Sequence, residues 1–190
     1  MRIYLEYINF IMAEETKESR VLVTGSPGAG KSTLCKFAIR EGRAVIDTDD
    51  RSILSWGKGE LPHGASFLYL LRNPPRFNWG ELDKKFRDNP GAIAYGSVPP
   101  MPRELLRATS KEHFDRIEYL SLPVVHVAER LGNRDDNPFG TTKTQVATSM
   151  VYAFVLNTFA RIASFIDKDR VRVHDARKSP EQLLKEIIEK

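Results

Sequence analysis

The sequence predicts an α/β protein, a parallel β-sheet with helices packed on both of its faces. Short runs rich in β-branched residues alternate with stretches of helical periodicity, an order that favours parallel strands joined by helices. The first run, residues 20–24, leads through a glycine-rich turn into the first helix. The 190 residues are 41% hydrophobic and 28% charged, which is typical of a single soluble globular domain.

Each element follows from its local pattern. Short apolar runs predict five buried strands, at residues 20–24, 44–46, 91–98, 116–122 and 171–174. Helical periodicity predicts helices at residues 31–41, 65–71, 79–87, 123–131, 142–166 and 180–189. Ser179 is the expected N-cap of the last helix, and Pro123 fits the first turn of the 123–131 helix. Large apolar residues recur at helical spacing in the 142–166 helix and are expected in the core: Met150, Val151, Phe154, Val155, Phe159, Ile162 and Phe165.

The glycine-rich turn carries the strongest functional signal in the chain. It meets the pattern G-x-x-x-x-G-K-S/T in full, between a predicted strand and a predicted helix. Glycines allow several backbone N–H groups to point at phosphate oxygens, and the start of the helix adds its positive end. The lysine reaches the β- and γ-phosphates, and the serine hydroxyl ligates Mg²⁺. The predicted nucleotide-binding residues of this loop are Gly25, Ser26, Pro27, Gly28, Ala29, Gly30, Lys31 and Ser32.

Three aspartates follow the second predicted strand. Alternate residues of an extended segment point to the same side, so Asp47 and Asp49 are expected to face one pocket. Carboxylates there can hold Mg²⁺ through water or accept a proton from an acceptor hydroxyl. A strand-to-helix turn also favours aspartate as a turn former, and Asp50 is expected to act as the cap.

Two arginines, Arg130 and Arg134, lie four residues apart where a predicted helix meets a polar loop. Planar guanidinium groups suit the charge that spreads over a phosphoryl group during transfer. The alternative is favourable charge at a helix C-terminus, which explains one arginine better than two. Both are therefore predicted to be catalytic, with residues 132–141 as a lid.

The chain divides into an N-terminal extension, residues 1–19, and one domain, residues 20–190, within which residues 51–90 are a predicted acceptor-binding insertion. The extension contains an apolar stretch interrupted by Glu6 and Asn9, too short to span a membrane. Met12 is an alternative start. The stretch is either dispensable or an added strand or helix packed on the domain.

Composition narrows the partners and the setting. A net charge of +4 and a pI of 9.2 fit a phosphate-binding site on a solvated surface better than nucleic-acid binding. Cys35 is the only cysteine, so no intramolecular disulfide forms and a reducing, cytoplasmic setting is expected. Packing is favoured over an acceptor pocket as the role of Trp56 and Trp79. The sequence does not determine the oligomeric state.

Four blocks of the sequence resemble the P-loop small-molecule kinases of the adenylate kinase and shikimate kinase type. They are VLVTGSPGAGKSTL at 21–34, VIDTDD at 45–50, FDRIEYLSLP with ERLGNRDDNPFGTT within 114–142, and VRVHDARKSPEQLLKEI at 171–187. The resemblance implies a three-layer α/β/α fold with five parallel strands in the order 2-3-1-4-5, an acceptor-binding insertion and a lid.

The resemblance also implies roles for individual residues, with ATP and Mg²⁺ as cofactors. Lys31, Ser32 and Thr33 would serve ATP and Mg²⁺, Asp47 and Asp49 would be the acidic pair, Arg130 and Arg134 the lid arginines, and Arg177 would lie beside the adenine. The third strand ends Tyr95-Gly96-Ser97, without the aspartate that many P-loop enzymes place there. Metal binding is therefore expected to fall to Ser32 and Asp47.

The leading functional hypothesis is a kinase that transfers the γ-phosphoryl group of ATP to a small acceptor, a nucleoside monophosphate. Arg51, Lys58, Arg72 and Arg76 in the insertion favour an acceptor that carries phosphate. Two alternatives stay open. One is a kinase for a non-nucleotide hydroxyl, with Asp49 as base, and the other is a non-catalytic or slowly hydrolysing nucleotide-binding protein.

Overall fold

The computed structural model describes residues 19–55, 72–73, 75–97, 102–110, 112–132 and 143–188. The strands are β1 Val21–Gly25, β2 Val45–Asp47, β3 Leu54–Ser55, β4 Arg76–Phe77, β5 Ile93–Tyr95, β6 Arg116–Ser121 and β7 Val171–Asp175. The helices are α1 Lys31–Arg40, α2 Trp79–Asp88, α3 Pro102–Ala108, α4 Val124–Gly132, α5 Lys143–Ile166 and α6 Pro180–Ile188.

Five of the strands form one sheet in the order β2-β5-β1-β6-β7, and every neighbouring pair is parallel. Counted along the chain without the small β3–β4 pair, this is the order 2-3-1-4-5, so the predicted topology is confirmed. Val23 of β1 lies opposite Tyr95 of β5, which lies opposite Asp47 of β2. β2 and β5 therefore end level with each other and β1 continues to Gly25, so the loops that follow the three strands share one edge.

Alternation along the strands builds two cores, one on each face of the sheet. On one face, Leu22 and Ile117 pack with residues of α2, α3 and α5, including Leu82, Leu105 and Leu156. On the other face, Val23 and Leu120 pack with residues of α1, α4 and α6, including Leu34, Val127 and Leu183. The predicted three-layer α/β/α architecture is therefore confirmed.

Local chemistry fixes the helix ends. Ser179 caps α6 as predicted, because its Oγ accepts a hydrogen bond from the Gln182 N–H at 3.2 Å. In turn, Gln182 Oε1 accepts a hydrogen bond from the Ser179 N–H at 3.2 Å, and the two bonds form a capping box. Asn78 caps α2 in the same way and accepts from the Glu81 N–H at 3.1 Å.

The insertion contains elements that the sequence pattern did not indicate. Leu54 and Ser55 pair antiparallel with Phe77 and Arg76. Outside the insertion, α3 after β5 was not indicated either. The predicted 65–71 helix and Trp56 lie outside the described residues. Trp79 is buried against the Phe77 ring, and its Nε1–H donates to Glu104 at 2.7 Å, so the packing interpretation holds for this residue.

Helix α5 departs from the prediction. Five residues expected in the core are exposed on its outer side: Val151, Phe154, Val155, Ile162 and Phe165. Ala153, Leu156 and Ala160 are buried instead, Leu156 and Ala160 in the core that contains Leu22 and Ala153 in the core that contains Val23. By length and composition alone, Val146–Ile166 would suit a membrane, but here it packs against β7 and α4 with 22% of its residues buried.

Candidate functional site

The predicted phosphate loop connects β1, the central strand, to α1. Gly30 is the N-cap of α1 with φ of 84°, a left-handed conformation that favours glycine, and the first helical turn contains no acidic residue. The first N–H groups of a helix have no partner within the helix, and they carry its positive dipole. The start of α1 is therefore shaped for an anion such as a phosphate group.

Two cations lie over this loop. Lys31 Nζ donates to the backbone oxygens of Gly25 at 3.0 Å and Ser26 at 3.2 Å. Arg130, from the end of α4, donates from Nη1 to the Gly28 oxygen at 3.0 Å. The structure thus brings two of the predicted catalytic residues to the predicted phosphate site. Arg134 and the lid residues 133–141 lie outside the described residues.

Ser26 anchors the loop to the neighbouring strand. Its side chain is fully buried, its N–H donates to the Leu120 oxygen at 3.2 Å, and its Oγ accepts from the Leu122 N–H at 3.1 Å. Both polar groups of Ser26 are thus engaged with the end of β6. Its predicted contact with a nucleotide stays a prediction, while its part in shaping the loop is visible.

The same end of β6 is tied to α5 by a polar group that sequence reasoning missed. Asn157 accepts hydrogen bonds from the Tyr119 hydroxyl at 3.0 Å and the Ser121 hydroxyl at 3.3 Å, and donates to the Leu122 oxygen at 3.0 Å. An asparagine inside an apolar helical run is the signal that could have found it, since a buried amide needs partners. Through Ser26 and Leu122, this network connects the phosphate loop to α5.

The acidic residues lie at the same edge of the sheet. Asp47 Oδ1 accepts from the Asp49 N–H at 2.9 Å, and Asp49 Oδ1 accepts from the Ser97 N–H at 3.0 Å. Ser97 follows β5, the strand next to β1, so Asp49 reaches across from β2 towards the phosphate loop. Adjacent strands lie about 4.8 Å apart, which places this carboxylate one strand from β1.

Gly96 leaves the space that the Asp49 side chain occupies at the end of β5. A Cβ atom at this position would lie 2.2 Å from Thr48 Oγ1 and 3.2 Å from Asp49 Cγ, and the φ of 146° also disfavours a side chain. Thr48 is itself buried, and its N–H donates to the Tyr95 oxygen at 2.8 Å. The absence of a side chain after β5 is therefore what lets Asp49 occupy the end of that strand.

The three aspartates differ in their electrostatics. Partial burial raises the pKa of Asp47, and the nearby charges of Asp49 and Asp50 add to that effect. Asp50 has the opposite environment, because hydrogen bonds from Ser52 and Lys85 lower its pKa to about 2. Asp50 also closes a turn by accepting from the Ser52 N–H at 2.8 Å, although no helix begins here among the described residues, so its predicted role as a cap stays a prediction.

The described residues fit Mg²⁺ together with the phosphates of a nucleotide, which would supply the remaining ligands. Within the described ranges, no group of three or more His, Cys, Asp or Glu residues could hold a metal ion by itself. Mg²⁺ is commonly held by one or two carboxylates together with substrate phosphates. The exposed Ser32 in the first turn of α1 and the aspartates after β2 fit that donor set, with the phosphates as the remaining ligands.

Arg177 is exposed after β7 and forms a bidentate ion pair with Asp175, with Nη2 to Oδ2 at 2.6 Å. Its predicted position beside an adenine stays a prediction. Burial raises the pKa of Tyr152 on α5, and the negative charge of Asp49 raises it further. No sequence pattern distinguished Tyr152 from the rest of its helix.

A parallel sheet in the order 2-3-1-4-5, with a phosphate loop after its central strand, defines the P-loop small-molecule kinase fold. The chain has that fold over nearly all of its described length. No protein-family model matches the sequence, and no curated protein matches it significantly.

Two solved structures show the similarity. A deoxyadenosine kinase from M. mycoides is 14% identical, with a TM-score of 0.51 over 90% of this chain and 96% of that one. A gluconokinase from Sinorhizobium meliloti 1021 is 15% identical, with a TM-score of 0.51 over 90% of each chain. At this level of identity the comparison establishes the fold, and the roles of residues depend on the geometry described above.

Proposed function

We propose that this protein is an ATP- and Mg²⁺-dependent kinase that transfers the γ-phosphoryl group to a small acceptor. The observation that carries the proposal is the Asp49 carboxylate, held over the end of β5 by the Ser97 N–H at 3.0 Å. This position sets a base beside the strand that leads into the phosphate loop. A GTPase or a motor protein needs the loop, but a small-molecule kinase also needs a group that accepts the proton of the acceptor hydroxyl.

On the donor side of the reaction, the protein positions the phosphates of ATP and neutralises their charge. The N–H groups at the start of α1 and the Lys31 ammonium group bind the phosphates, and Arg130 offsets charge that develops during transfer. Mg²⁺, held by Ser32, an aspartate and the phosphates, supplies charge neutralisation when bound. Since Lys31 Nζ now bonds to two backbone oxygens of the loop, nucleotide binding exchanges those bonds for phosphate contacts.

On the acceptor side of the reaction, Asp47 and Asp49 have different proposed roles. The acceptor oxygen forms a bond to the γ-phosphorus, and the bond to the ADP oxygen breaks. The proton of an acceptor hydroxyl passes to Asp49, whereas the ionised phosphate oxygen of a nucleoside monophosphate attacks without losing a proton. Asp47 orients this base through the Asp49 N–H. Asp47, with Ser32, is the proposed Mg²⁺ ligand, and Asp49 is the proposed base.

A nucleoside or nucleoside monophosphate is the proposed acceptor class. The basic residues Arg51 and Arg76 are exposed in the described part of the insertion, which favours an acceptor with phosphate. The deoxyadenosine kinase with the same fold was solved with the products dCMP and dCDP bound. The gluconokinase shows that the fold also serves sugar acids, so a non-nucleotide hydroxyl is the second candidate acceptor.

One assay tests the proposal and its acceptor together. The purified protein, ATP and Mg²⁺ are combined with nucleosides, nucleoside monophosphates, gluconate or shikimate, and ADP is measured. We expect ADP formation that depends on one acceptor class, a fall of roughly 10²–10⁴-fold in kcat for Asp49→Asn, and no change for Asp88→Asn at the end of α2. Turnover that is independent of every acceptor and equal in Asp49→Asn would contradict the proposal.

A non-catalytic nucleotide-binding protein is the alternative from a different class. The observation that favours it is the end of β5, where Tyr95-Gly96-Ser97 lacks the aspartate common in P-loop enzymes. Tight binding of ATP measured by calorimetry, without phosphoryl transfer to any acceptor in the panel, would support this alternative over the kinase.

A further inference from the structure

The outer side of α5 is an apolar surface that nothing in the described part of the chain covers. Val151, Phe154, Ile162 and Phe165 have 48%, 63%, 55% and 82% of their surface exposed. Val151, Val155, Thr158, Ile162 and Phe165 are spaced alternately by four and three residues and form one stripe. We call these five residues with Phe154 the outer face of α5.

The same helix also carries buried apolar residues, since Ala153, Leu156 and Ala160 belong to the two cores. A helix that is apolar on both sides is normally enclosed on both sides. Large exposed apolar patches on soluble proteins mark interaction sites, because leaving them in water is unfavourable. The outer face of α5 therefore requires a partner of matching chemistry.

The start of the domain lies close to one end of this surface. Arg170 follows α5 and donates from Nε to the Phe114 oxygen at 3.3 Å. The next residue, Asp115, donates from its N–H to the Arg20 oxygen at 2.9 Å. Arg20, which precedes β1, is thus connected through Phe114 and Asp115 to Arg170, the fourth residue after Ile166, where α5 ends.

The chain before Arg20 has the composition that such a surface requires. Residues 3–12, IYLEYINFIM, contain eight apolar or aromatic residues, and the polar residues 13–19 join them to the domain. Seven residues span at most about 23–25 Å, and the outer face from Phe165 to Val151 extends about 21 Å. The polar Arg2, Glu6 and Asn9 are spaced by four and three residues, so in a helix they would share one side and leave the opposite side apolar.

We propose that the outer face of α5 is the docking surface for residues 3–12 of the same chain. The tether decides between this occupant and a second copy or a lipid surface. A segment linked through a few residues has an effective concentration in the millimolar range, which an untethered partner rarely reaches. The proposal does not depend on the kinase function, because the docking surface is separate from the phosphate loop.

Cross-linking tests the proposal directly. In a Cys35→Ser background, which has no other cysteine, Asn9→Cys is combined with Thr158→Cys on the outer face or with Val125→Cys as control. Val125 is 61% exposed and lies on α4, outside the six residues of the outer face. A short bismaleimide should link residues 9 and 158 within one chain and leave the control pair unlinked. Links between two chains, equal yields in both pairs, or no link would overturn the proposal.

Stability measurements give a second, independent readout. A chain that begins at Met12 should bind more of the dye ANS and unfold about 5 °C lower than the full chain. In that shorter chain, Phe165→Glu should reduce ANS binding, while Val125→Glu should not. Equal ANS binding by the two chain lengths would contradict the docking. A full chain that forms dimers, or sediments with phosphatidylcholine–phosphatidylserine vesicles, and loses either property with Phe165→Glu would assign the surface to that partner instead.

Discussion

One serine of the phosphate loop is buried and the other is exposed. We therefore expect that replacing the first lowers stability and that replacing the second lowers Mg²⁺-dependent turnover. Ser26 is fully buried and accepts from the Leu122 N–H, whereas Ser32 is exposed at the start of α1. Ser26→Ala should lower the free energy of unfolding by about 1–2 kcal/mol, because a buried N–H loses its acceptor. Ser32→Ala should leave that free energy within about 0.5 kcal/mol and reduce Mg²⁺-dependent turnover. Urea unfolding and an ADP assay of both variants measure the two effects, and equal destabilisation would contradict these assignments.

Gly96 provides a second prediction at the residue scale. Gly96→Ala places a Cβ atom against Thr48 Oγ1 and Asp49, so we expect both lower stability and lower turnover. Gly80→Ala is the matched control, because a Cβ there meets its nearest atom, Asn78 Oδ1, at an ordinary 3.6 Å inside α2. The control should be neutral or stabilising by about 0.5–1 kcal/mol, since alanine favours helix. Thermal unfolding and kcat of both variants test the pair, and full activity of Gly96→Ala would show that Asp49 has no fixed position.

At the scale of elements, one histidine joins β6, β7 and α6. His174 Nε2 lies 2.6 Å from buried Glu118, and its Nδ1 lies 3.1 Å from Glu186. Arg116 Nε lies 2.6 Å from the same Glu118, and Lys178 pairs with Glu186, so the cluster alternates in charge. Burial works against the imidazolium, but the hydrogen bonds to the two glutamates outweigh it and raise the pKa of His174.

The pH dependence of stability follows from that direction. Because the folded pKa is above the unfolded value of about 6.5, the stabilisation is fully present below that pH. It is lost as the pH rises through the folded pKa. The free energy of unfolding measured in urea should therefore fall with rising pH above neutrality in the wild type, and less steeply in His174→Gln. Parallel curves for the two proteins would show that His174 does not titrate in this range.

The elements of the sheet could be predicted because their signals are local. Buried β-branched runs, the glycine-rich turn and the Ser179 cap each depend on neighbouring residues. Contacts between distant parts of the chain could not be predicted. In the sequence Asn157 is one polar residue in a helix, and its hydrogen-bond partners lie on β6. Helix α5 shows the limit most clearly, because periodicity reveals an apolar helix but not which of its two sides faces the sheet.

At the scale of the whole molecule, nucleotide binding should be linked to global stability. The loop is bonded to β6 through Ser26, and β6 is bonded to α5 through Asn157, so unfolding of the domain destroys the site. A ligand that binds the folded state alone stabilises it by about 2.7 kcal/mol at a hundred times its dissociation constant. That corresponds to a rise of about 5–10 °C in the unfolding midpoint for a chain of this length.

The thermal shift separates nucleotide binding from catalysis, which makes it informative for either proposed function. Mg²⁺·ATP should raise the midpoint of the wild type and fail to do so in Lys31→Ala, because the ammonium group that holds the β- and γ-phosphates is missing. Arg161→Ala, an exposed change on α5, should keep the full shift. Asp49→Asn should also keep it while losing phosphoryl transfer, since its carboxylate acts on the acceptor side. A Lys31→Ala variant with the wild-type shift would show that nucleotide binds elsewhere, and the functional assignment of the loop would then be wrong.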